Sequence, residues 1–131
     1  MGLSHADQQL LDKFLKEILI DQCIIGVIQF GSSVTEDIYK DVDIVIITDP
    51  IFTSQDKFNM KLHSPERIDV SFLEDLPLDI AKDAIKGSLI VNRNEDRVFD
   101  IVVDVMKRWE DFKPMWKLYV DVSINGFGEN R

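Results

Sequence analysis

Hydrophobic residues near the start of the chain recur at the spacing of an α-helix. Between residues 5 and 19 they fall on one stripe, and the charged side chains lie outside it. Ser4 stands directly before this segment, where a serine hydroxyl accepts from free backbone N–H groups of a first helical turn. The pattern therefore predicts an amphipathic helix whose buried stripe is Leu10, Leu11, Phe14, Leu15, Ile18 and Leu19.

Four short apolar runs follow, and they predict strands. Residues 23–30 form a β-branched run that stops at a glycine, and residues 41–47 form a second that stops before Pro50. Residues 67–73 alternate between polar and apolar, as in a strand with one open face. Residues 88–91 give a brief fourth strand. We therefore expect a small mixed sheet of about four strands.

Two further helical patterns flank the fourth strand. Pro77 suits the first position of a helix over residues 77–85, and Gly87 suits its C-cap. A longer helix is predicted from Glu95 to about Trp109, with Pro114 expected to interrupt it. The remaining segments are expected to be a stretch too short for more than two helical turns at 34–40, an unassigned stretch at 52–65 and a loose tail at 123–131.

This order of elements predicts an α/β (α+β) fold with helices packed on one face of the sheet. The 131 residues fit a single domain, 1–131, with a core at about residues 5–115.

Composition and charge narrow the function classes. The formal net charge is −9, with 24 acidic against 15 basic residues, so general binding to nucleic acid or to an anionic membrane is not expected. A phosphorylated ligand would have to be held locally, for example through a divalent cation. The chain has a single cysteine, Cys23, no apolar run of roughly 18–20 residues and no signal-peptide pattern at its start, so we expect a cytoplasmic protein.

Three aspartates carry the candidate chemistry. Asp41 and Asp43 are two apart at the start of a predicted strand, so both project from one face, about 6.5–7 Å apart along it. Their mutual repulsion is relieved by a cation, and magnesium prefers such oxygen ligands. If the strand carrying Asp69 pairs beside this one, Asp69 faces the same metals and can accept a proton from an attacking hydroxyl.

A glycine–serine turn directly follows the first strand. At Gly31 the backbone can approach a phosphate closely, and the hydroxyl of Ser32 and adjacent N–H groups can donate to phosphate oxygens. Each of these features alone is common, but together they offer phosphate donors and metal ligands on consecutive strands.

The combined pattern resembles the signature of the polymerase-β-like nucleotidyltransferase superfamily. The matching residues are Phe30-Gly31-Ser32, a spacer of eight residues, Asp41-Val42-Asp43-Ile44 and, for the third acid, Ile68-Asp69-Val70. The later order of elements is similar to that of the minimal nucleotidyltransferases, small proteins that pair with a helical HEPN protein as toxin and antitoxin. The likeness covers about residues 5–115.

The resemblance implies a nucleotidyltransferase fold and a specific reaction. Asp41, Asp43 and Asp69 would be catalytic and would bind magnesium, two ions in all, while Gly31, Ser32 and Ser33 would bind the nucleotide. The reaction would transfer a nucleotidyl group, AMP from ATP, to a hydroxyl of a HEPN-type partner.

The chain departs from that pattern in two places. The eight-residue spacer is at the short end, and no arginine follows the turn, where this chain has Ser33, Val34 and Thr35. Arg67 is a candidate to replace the missing charge, although the simpler interpretation is that it pairs with Asp69 on its own strand face.

Alternative functions therefore stay open. The chain is either an active nucleotidyltransferase or a catalytically silent antitoxin that masks its partner by contact. An enzyme that modifies a small molecule is less favoured, because the chain has no substrate domain. An apolar cluster near the end covers the protein's own core or forms a surface for a partner or a second copy: Trp109, Phe112, Met115, Trp116, Leu118 and Tyr119.

Overall fold

A computed structural model describes residues 2–125 of the protein. Six of the seven predicted helices and strands have both ends within one residue of the prediction, and the last helix is longer than expected. The elements in chain order are α1 (His5–Ile18), β1 (Ile24–Phe30), α2 (Ser32–Thr35), β2 (Val42–Thr48), α3 (Ser54–His63), β3 (Ile68–Phe72), a 3-10 turn (Leu73–Asp75), α4 (Leu78–Ala84), β4 (Ser88–Asn92) and α5 (Glu95–Asn125).

The four strands form one mixed sheet in the order β3-β2-β1-β4. β1 is antiparallel to both β2 and β4, whereas β2 and β3 are parallel and joined through α3. The predicted small mixed sheet is therefore confirmed. Its central strands are the most apolar, as expected for strands covered on both faces.

The expectation that the helices lie on one face of the sheet is wrong. Val42, Ile44 and Ile46 of β2 belong to a buried cluster with α1, while Val45 and Ile47 belong to a second cluster with α4 and α5. Successive side chains of a strand point to opposite faces, so the two clusters lie on opposite sides of the sheet. Each face carries its own apolar residues, and each is therefore covered by helices.

Local interactions set the ends of the first and third helices. The hydroxyl of Ser4 accepts from the N–H of Asp7, which confirms the predicted cap of α1. α3, in the unassigned stretch, begins with a reciprocal capping box between Thr53 and Asp56. Its residues include none that is fully buried, which explains why no apolar period announced it.

Gly87 has a different role from the predicted C-cap. The C-cap of α4 is Ile85 in right-handed conformation, and among the described residues the only glycine with a positive φ is Gly31. A Cβ on Gly87 would collide with the carbonyl oxygen of Gln29 and would meet the Cβ of Phe30 at 2.9 Å. Gly87 is thus needed for the close approach of the chain to β1.

Pro114 does not interrupt α5, which continues to Asn125. The proline removes one backbone N–H and frees the carbonyl of the residue four positions earlier. That residue, Glu110, and Pro114 itself are exposed, so solvent can satisfy the freed carbonyl. Of the predicted loose tail, residues 123–125 are helical and residues 126–131 lie outside the described part. Within residues 2–125, no helix has the length and apolar character required to cross a membrane.

Candidate functional site

The sheet brings the three aspartates together at the end where β2 and β3 begin. Asp43 and Asp69 are register partners on the parallel strands β2 and β3, and Asp43 also stands opposite Phe30, the last residue of β1. The neighbours of Asp43 and Asp69 along their strands belong to the buried cluster that packs against α1, which we call the α1 cluster. Successive side chains of a strand point to opposite faces, so both aspartates point to the face opposite α1. Asp41 directly precedes β2. We call these three side chains the acid edge.

The acid edge concentrates negative charge in a partly buried place. Asp41 and Asp43 are half-buried, and Asp69 is exposed. Burial raises the pKa of the Asp43 carboxyl above its ordinary value, and the charges of Asp69 and Asp41 and a hydrogen bond with Asp69 raise it further. Asp43 and Asp69 thus stand side by side on neighbouring strands with like charges, an arrangement that favours a cation between them.

The glycine turn reaches the acid edge directly. Gly31 has φ +80°, a conformation that favours glycine, and a Cβ at this position would lie 2.5 Å from Oδ2 of Asp43. The close approach needs a residue without a side chain. The turn and the acids, inferred separately in the sequence, are therefore in contact.

The two serines after Gly31 have different surroundings. Ser32 is half-buried and begins α2, a helix of only four residues, in agreement with the short spacer. Ser33 is fully buried, and its hydroxyl accepts a hydrogen bond of 3.1 Å from the amide of Gln29. The hydroxyl of Ser33 is therefore occupied in the interior, so a contribution of Ser33 to nucleotide binding is limited to its backbone.

Arg67 neither pairs with Asp69 nor offers its charge to the acid edge. Its Nε and Nη2 donate to the two carboxylate oxygens of Asp7 in α1, at 3.2 and 3.1 Å. The hydroxyl of Tyr39 donates to the same carboxylate at 2.6 Å. The hydrogen bonds from Arg67 and Tyr39 hold the pKa of Asp7 below its ordinary value.

This cluster of Asp7, Tyr39 and Arg67 was missed by the sequence analysis. Asp7 and Arg67 are 60 residues apart, and no local pattern links them. The position of Asp7 on the buried side of α1 was the one available signal, because a buried carboxylate requires a partner.

The acid edge suits magnesium for two reasons. Its donors are carboxylate oxygens, which magnesium prefers, and its like charges repel each other unless a cation lies between them. Among residues 2–125, no three His, Cys, Asp or Glu side chains are arranged to hold a metal ion as they stand. Magnesium does not need such a set, because proteins usually bind it through one or two carboxylates together with substrate phosphates and water. The adjacent Asp43 and Asp69 meet that smaller requirement.

A groove of about 560 Å³ lies elsewhere, between α1 and α3. Residues of the α1 cluster, including Phe14 and Phe52, line it, so it lies on the sheet face opposite the acid edge. Its charged lining is mostly acidic, with Glu17, Asp21 and Asp56, which disfavours a phosphate ligand. The acid edge is therefore the better candidate for phosphate chemistry.

Two comparisons by sequence found no match, but solved structures share the fold. No protein-family model matches the chain, and no curated protein matches it. A crystal structure of the toxin–antitoxin MntA–HpeT, in a variant with two aspartate-to-glutamate substitutions, matches with a TM-score of 0.68 at 13% identity. The match covers 87% of this chain and 95% of that one.

Two other solved structures are similar. A toxin–antitoxin crystal structure with AMP-PNP has a TM-score of 0.67 at 14% identity and covers 88% of this chain and 97% of that one. A complex of the tri-AMPylated HEPN toxin of Shewanella oneidensis with its MNT antitoxin has a TM-score of 0.60 at 12% identity, covering 88% and 98%. At such identities the likeness concerns the fold. The expected nucleotidyltransferase fold, as found in the minimal nucleotidyltransferase MntA, is confirmed.

Proposed function

We propose that the protein is a magnesium-dependent nucleotidyltransferase that transfers AMP from ATP to a hydroxyl of a HEPN-type partner, and that it acts as an antitoxin. The observation that carries the proposal is the contact between Gly31 and the Asp43 carboxylate, with Asp69 beside it. Because Gly31 has no Cβ, the Asp43 carboxylate lies directly against the backbone of the turn, so the phosphate donors of the turn and the candidate metal ligands are adjacent. Two structural neighbours support the same chemistry, since one was solved with AMP-PNP and another contains a tri-AMPylated HEPN toxin.

Asp41, Asp43 and Asp69 would hold the magnesium, which supplies positive charge against the phosphate oxygens as the reaction proceeds. Ser32 would donate its hydroxyl and its N–H to the triphosphate. Asp69, the most exposed of the three acids, stands where an incoming hydroxyl can reach it. Its carboxylate would orient that hydroxyl and accept its proton.

The proposed transfer replaces one phosphorus–oxygen bond of ATP with another. The hydroxyl oxygen of the acceptor forms a bond to the α-phosphorus of ATP, and the bond from that phosphorus to the bridging oxygen breaks. Pyrophosphate leaves with the electron pair, and the proton of the hydroxyl passes to Asp69. The product is a phosphodiester between AMP and the acceptor side chain, and no oxidant or reductant is required.

A protein acceptor is supported by the far half of α5. The buried residues of α5 in the core end at Val105, and beyond Trp109 most of the large apolar residues are exposed, with Met115 and Tyr119 each 69% accessible. The alternative that this cluster covers the protein's own core does not hold for its exposed members, whereas Trp109 and Trp116 are half-buried and pack edge to face with ring centroids 5.5 Å apart. An exposed apolar stripe of this kind is typical of a protein–protein contact.

Calorimetric titration of ATP, with and without magnesium, tests the nucleotide site. We expect the wild type to bind ATP only with magnesium and an Asp41→Asn, Asp43→Asn double variant to bind at least about tenfold more weakly. A matched control, Asp100→Asn with Asp111→Asn, removes the same charge from exposed positions of α5 and should bind like the wild type.

Transfer is then measured by the mass of a HEPN-type partner after incubation with ATP and magnesium. Addition of AMP by the wild type and not by the double variant supports the enzyme. If the wild type binds its partner but neither binds ATP nor modifies the partner, the catalytically silent antitoxin is the correct function.

A further inference from the structure

Arg67 contacts the backbone on both sides of Asp41. Its guanidinium donates from Nη1 to the carbonyl oxygen of Lys40, the residue before Asp41. Its own carbonyl accepts from the N–H of Val42, the residue after Asp41, at 3.0 Å. Asp41 is thus the residue between two hydrogen bonds to one arginine. Because the backbone is held on both sides, Asp41 has fewer backbone conformations available.

The same guanidinium is fixed at its other end by α1. Arg67 binds both carboxylate oxygens of Asp7, whose residue is only 8% exposed. The ring of Tyr39 lies 5.2 Å from Cζ of Arg67, and its hydroxyl accepts from the N–H of Ser4 at 3.0 Å while donating to Asp7. The position of the backbone before Asp41 is therefore tied to the first turn of α1 and to the start of β3.

Asp41 requires such support more than an ordinary loop residue does. Asp41 and Asp43 are two residues apart where β2 begins and carry like charges, so the two carboxylates repel each other when both are ionised. Asp41 lies outside β2, so the ladder of that strand does not fix it. Without a restraint, repulsion favours conformations in which Asp41 turns away from the acid edge.

We propose that Arg67 is a positioning residue, which holds Asp41 at the acid edge for the binding of magnesium and ATP. The charge of Arg67 is neutralised by Asp7, so Arg67 acts through the backbone and not as a phosphate ligand. This inference rests on the proposed function, because it assigns Arg67 a role in that site.

Arg93 provides a matched control. It also donates from one guanidinium to backbone carbonyls, those of Leu19, Asp21 and Ile24. Ile24 begins β1 and Phe30 ends it, opposite Asp43, so Arg93 lies at the far end of the sheet from the acid edge, about 20 Å along the strand. Substitution of Arg93 therefore shows how the loss of similar hydrogen bonds to backbone carbonyls affects the stability of the fold, away from the acid edge.

The experiment measures thermal unfolding and magnesium-dependent ATP binding for Arg67→Gln and Arg93→Gln. Both variants should unfold at lower temperature, but only Arg67→Gln should weaken ATP binding with magnesium, by about 10–100-fold. Arg67→Lys retains a positive charge for Asp7 without the planar fork that also reaches Lys40. It should recover most of the thermal stability and little of the affinity, and it replaces Arg67→Gln if that variant does not fold.

The outcomes separate the two proposals. If the wild type binds ATP with magnesium and both Arg67 variants bind equally well, the positioning role is wrong and the proposed function stands. If the affinity loss of each arginine variant simply follows its loss of stability, Arg67 is an ordinary structural residue. If the wild type does not bind, with or without its partner, the nucleotidyltransferase function fails and the positioning role fails with it.

Discussion

At the scale of single residues, the acid edge combines a cost to the fold with a capacity for binding. The cost to the fold can be measured at Asp43, because burial and the charges of the neighbouring Asp69 and Asp41 raise the pKa of its carboxyl. A raised pKa in the folded state means that ionisation of Asp43 destabilises the fold relative to the unfolded chain. A bound cation would reverse the sign of this contribution.

We therefore expect Asp43→Asn to stabilise the metal-free protein at neutral pH, by up to about 1 kcal/mol, the scale of partly exposed charge interactions. The stabilising contribution of protonated Asp43 is complete below the unfolded pKa, about 3.9, and is lost as pH rises through the higher folded value. The advantage of the variant should thus be absent below about pH 4 and grow above it. Thermal unfolding in a chelating buffer between acid and neutral pH measures it.

Asp100→Asn, at an exposed position of α5, serves as the control and should show no comparable gain. With magnesium and ATP present, the order should reverse, because only the wild type gains binding energy. An Asp43→Asn variant that is less stable than the wild type in the chelating buffer at neutral pH would contradict this account.

Gly31 gives a second test at this scale. A Cβ would stand 2.5 Å from Oδ2 of Asp43, and the φ of +80° is strained for alanine. Gly31→Ala should lower the free energy of unfolding by about 1–3 kcal/mol and displace the Asp43 carboxylate. Chemical denaturation of Gly31→Ala, Asp43→Ala and the double variant separates the two causes. The double variant should recover the part that is due to the collision, and strict additivity of the two changes would mean that no contact exists.

At the scale of elements, sequence reasoning succeeded where burial alone set the pattern. α1 and the four strands were predicted within one residue at each end because their apolar residues follow the periods of helix and strand. α3 was missed because it has no buried stripe, and the Thr53–Asp56 capping box marks only its start. The Thr53–Asp56 motif is present in the sequence, but without a periodic apolar segment after it such a motif does not by itself predict a helix.

Two other features separate what local patterns could predict from what they could not. β2 has four consecutive buried residues, from Ile44 to Ile47, and such a run is typical of a strand covered on both faces. That signal contradicted the expectation of helices on one face. The pairing of Arg67 with Asp7, in contrast, depends on how α1 lies against the start of β3, and nothing in either segment specifies its partner.

The candidate site divides in the same way. The sequence grouped the Gly31 turn with the acids and placed Asp69 near Asp43 on the condition that their strands pair; the close approach of Gly31 to Asp43 and the register of the two aspartates come from the structure. The burial of Ser33 was not predicted, because a serine in a turn is usually exposed and only the bond from Gln29 makes its interior position favourable.

At the scale of the whole molecule, the far half of α5 departs from the rest. The stripe that packs on the sheet through Val98 and Val105 continues past Trp109 as exposed apolar residues, which we call the distal stripe: Phe112, Met115, Leu118, Tyr119 and Ile124. A helix keeps such a stripe when another surface covers it. The net charge of −9 disfavours a second copy of the chain, because like charges repel, and favours a partner of opposite charge.

The proposed partner should therefore bind at the distal stripe. Met115 and Tyr119 are four residues apart and lie on one side of α5, so Met115→Glu with Tyr119→Glu places two charges within the contact. Lys113→Ala with Lys117→Ala changes the net charge by the same amount on another side of the helix and is the matched control.

Size-exclusion chromatography with a co-expressed HEPN-type partner should show a complex with the wild type and the lysine variant, and none with the glutamate variant. Thermal stability and ATP binding should be the same in all three, because these residues lie beyond Val105, where the buried residues of α5 in the core end. A glutamate variant that retains the complex would exclude the distal stripe as the partner site. A wild-type chain that forms dimers dispersed by the glutamate variant would show that a second copy covers the stripe.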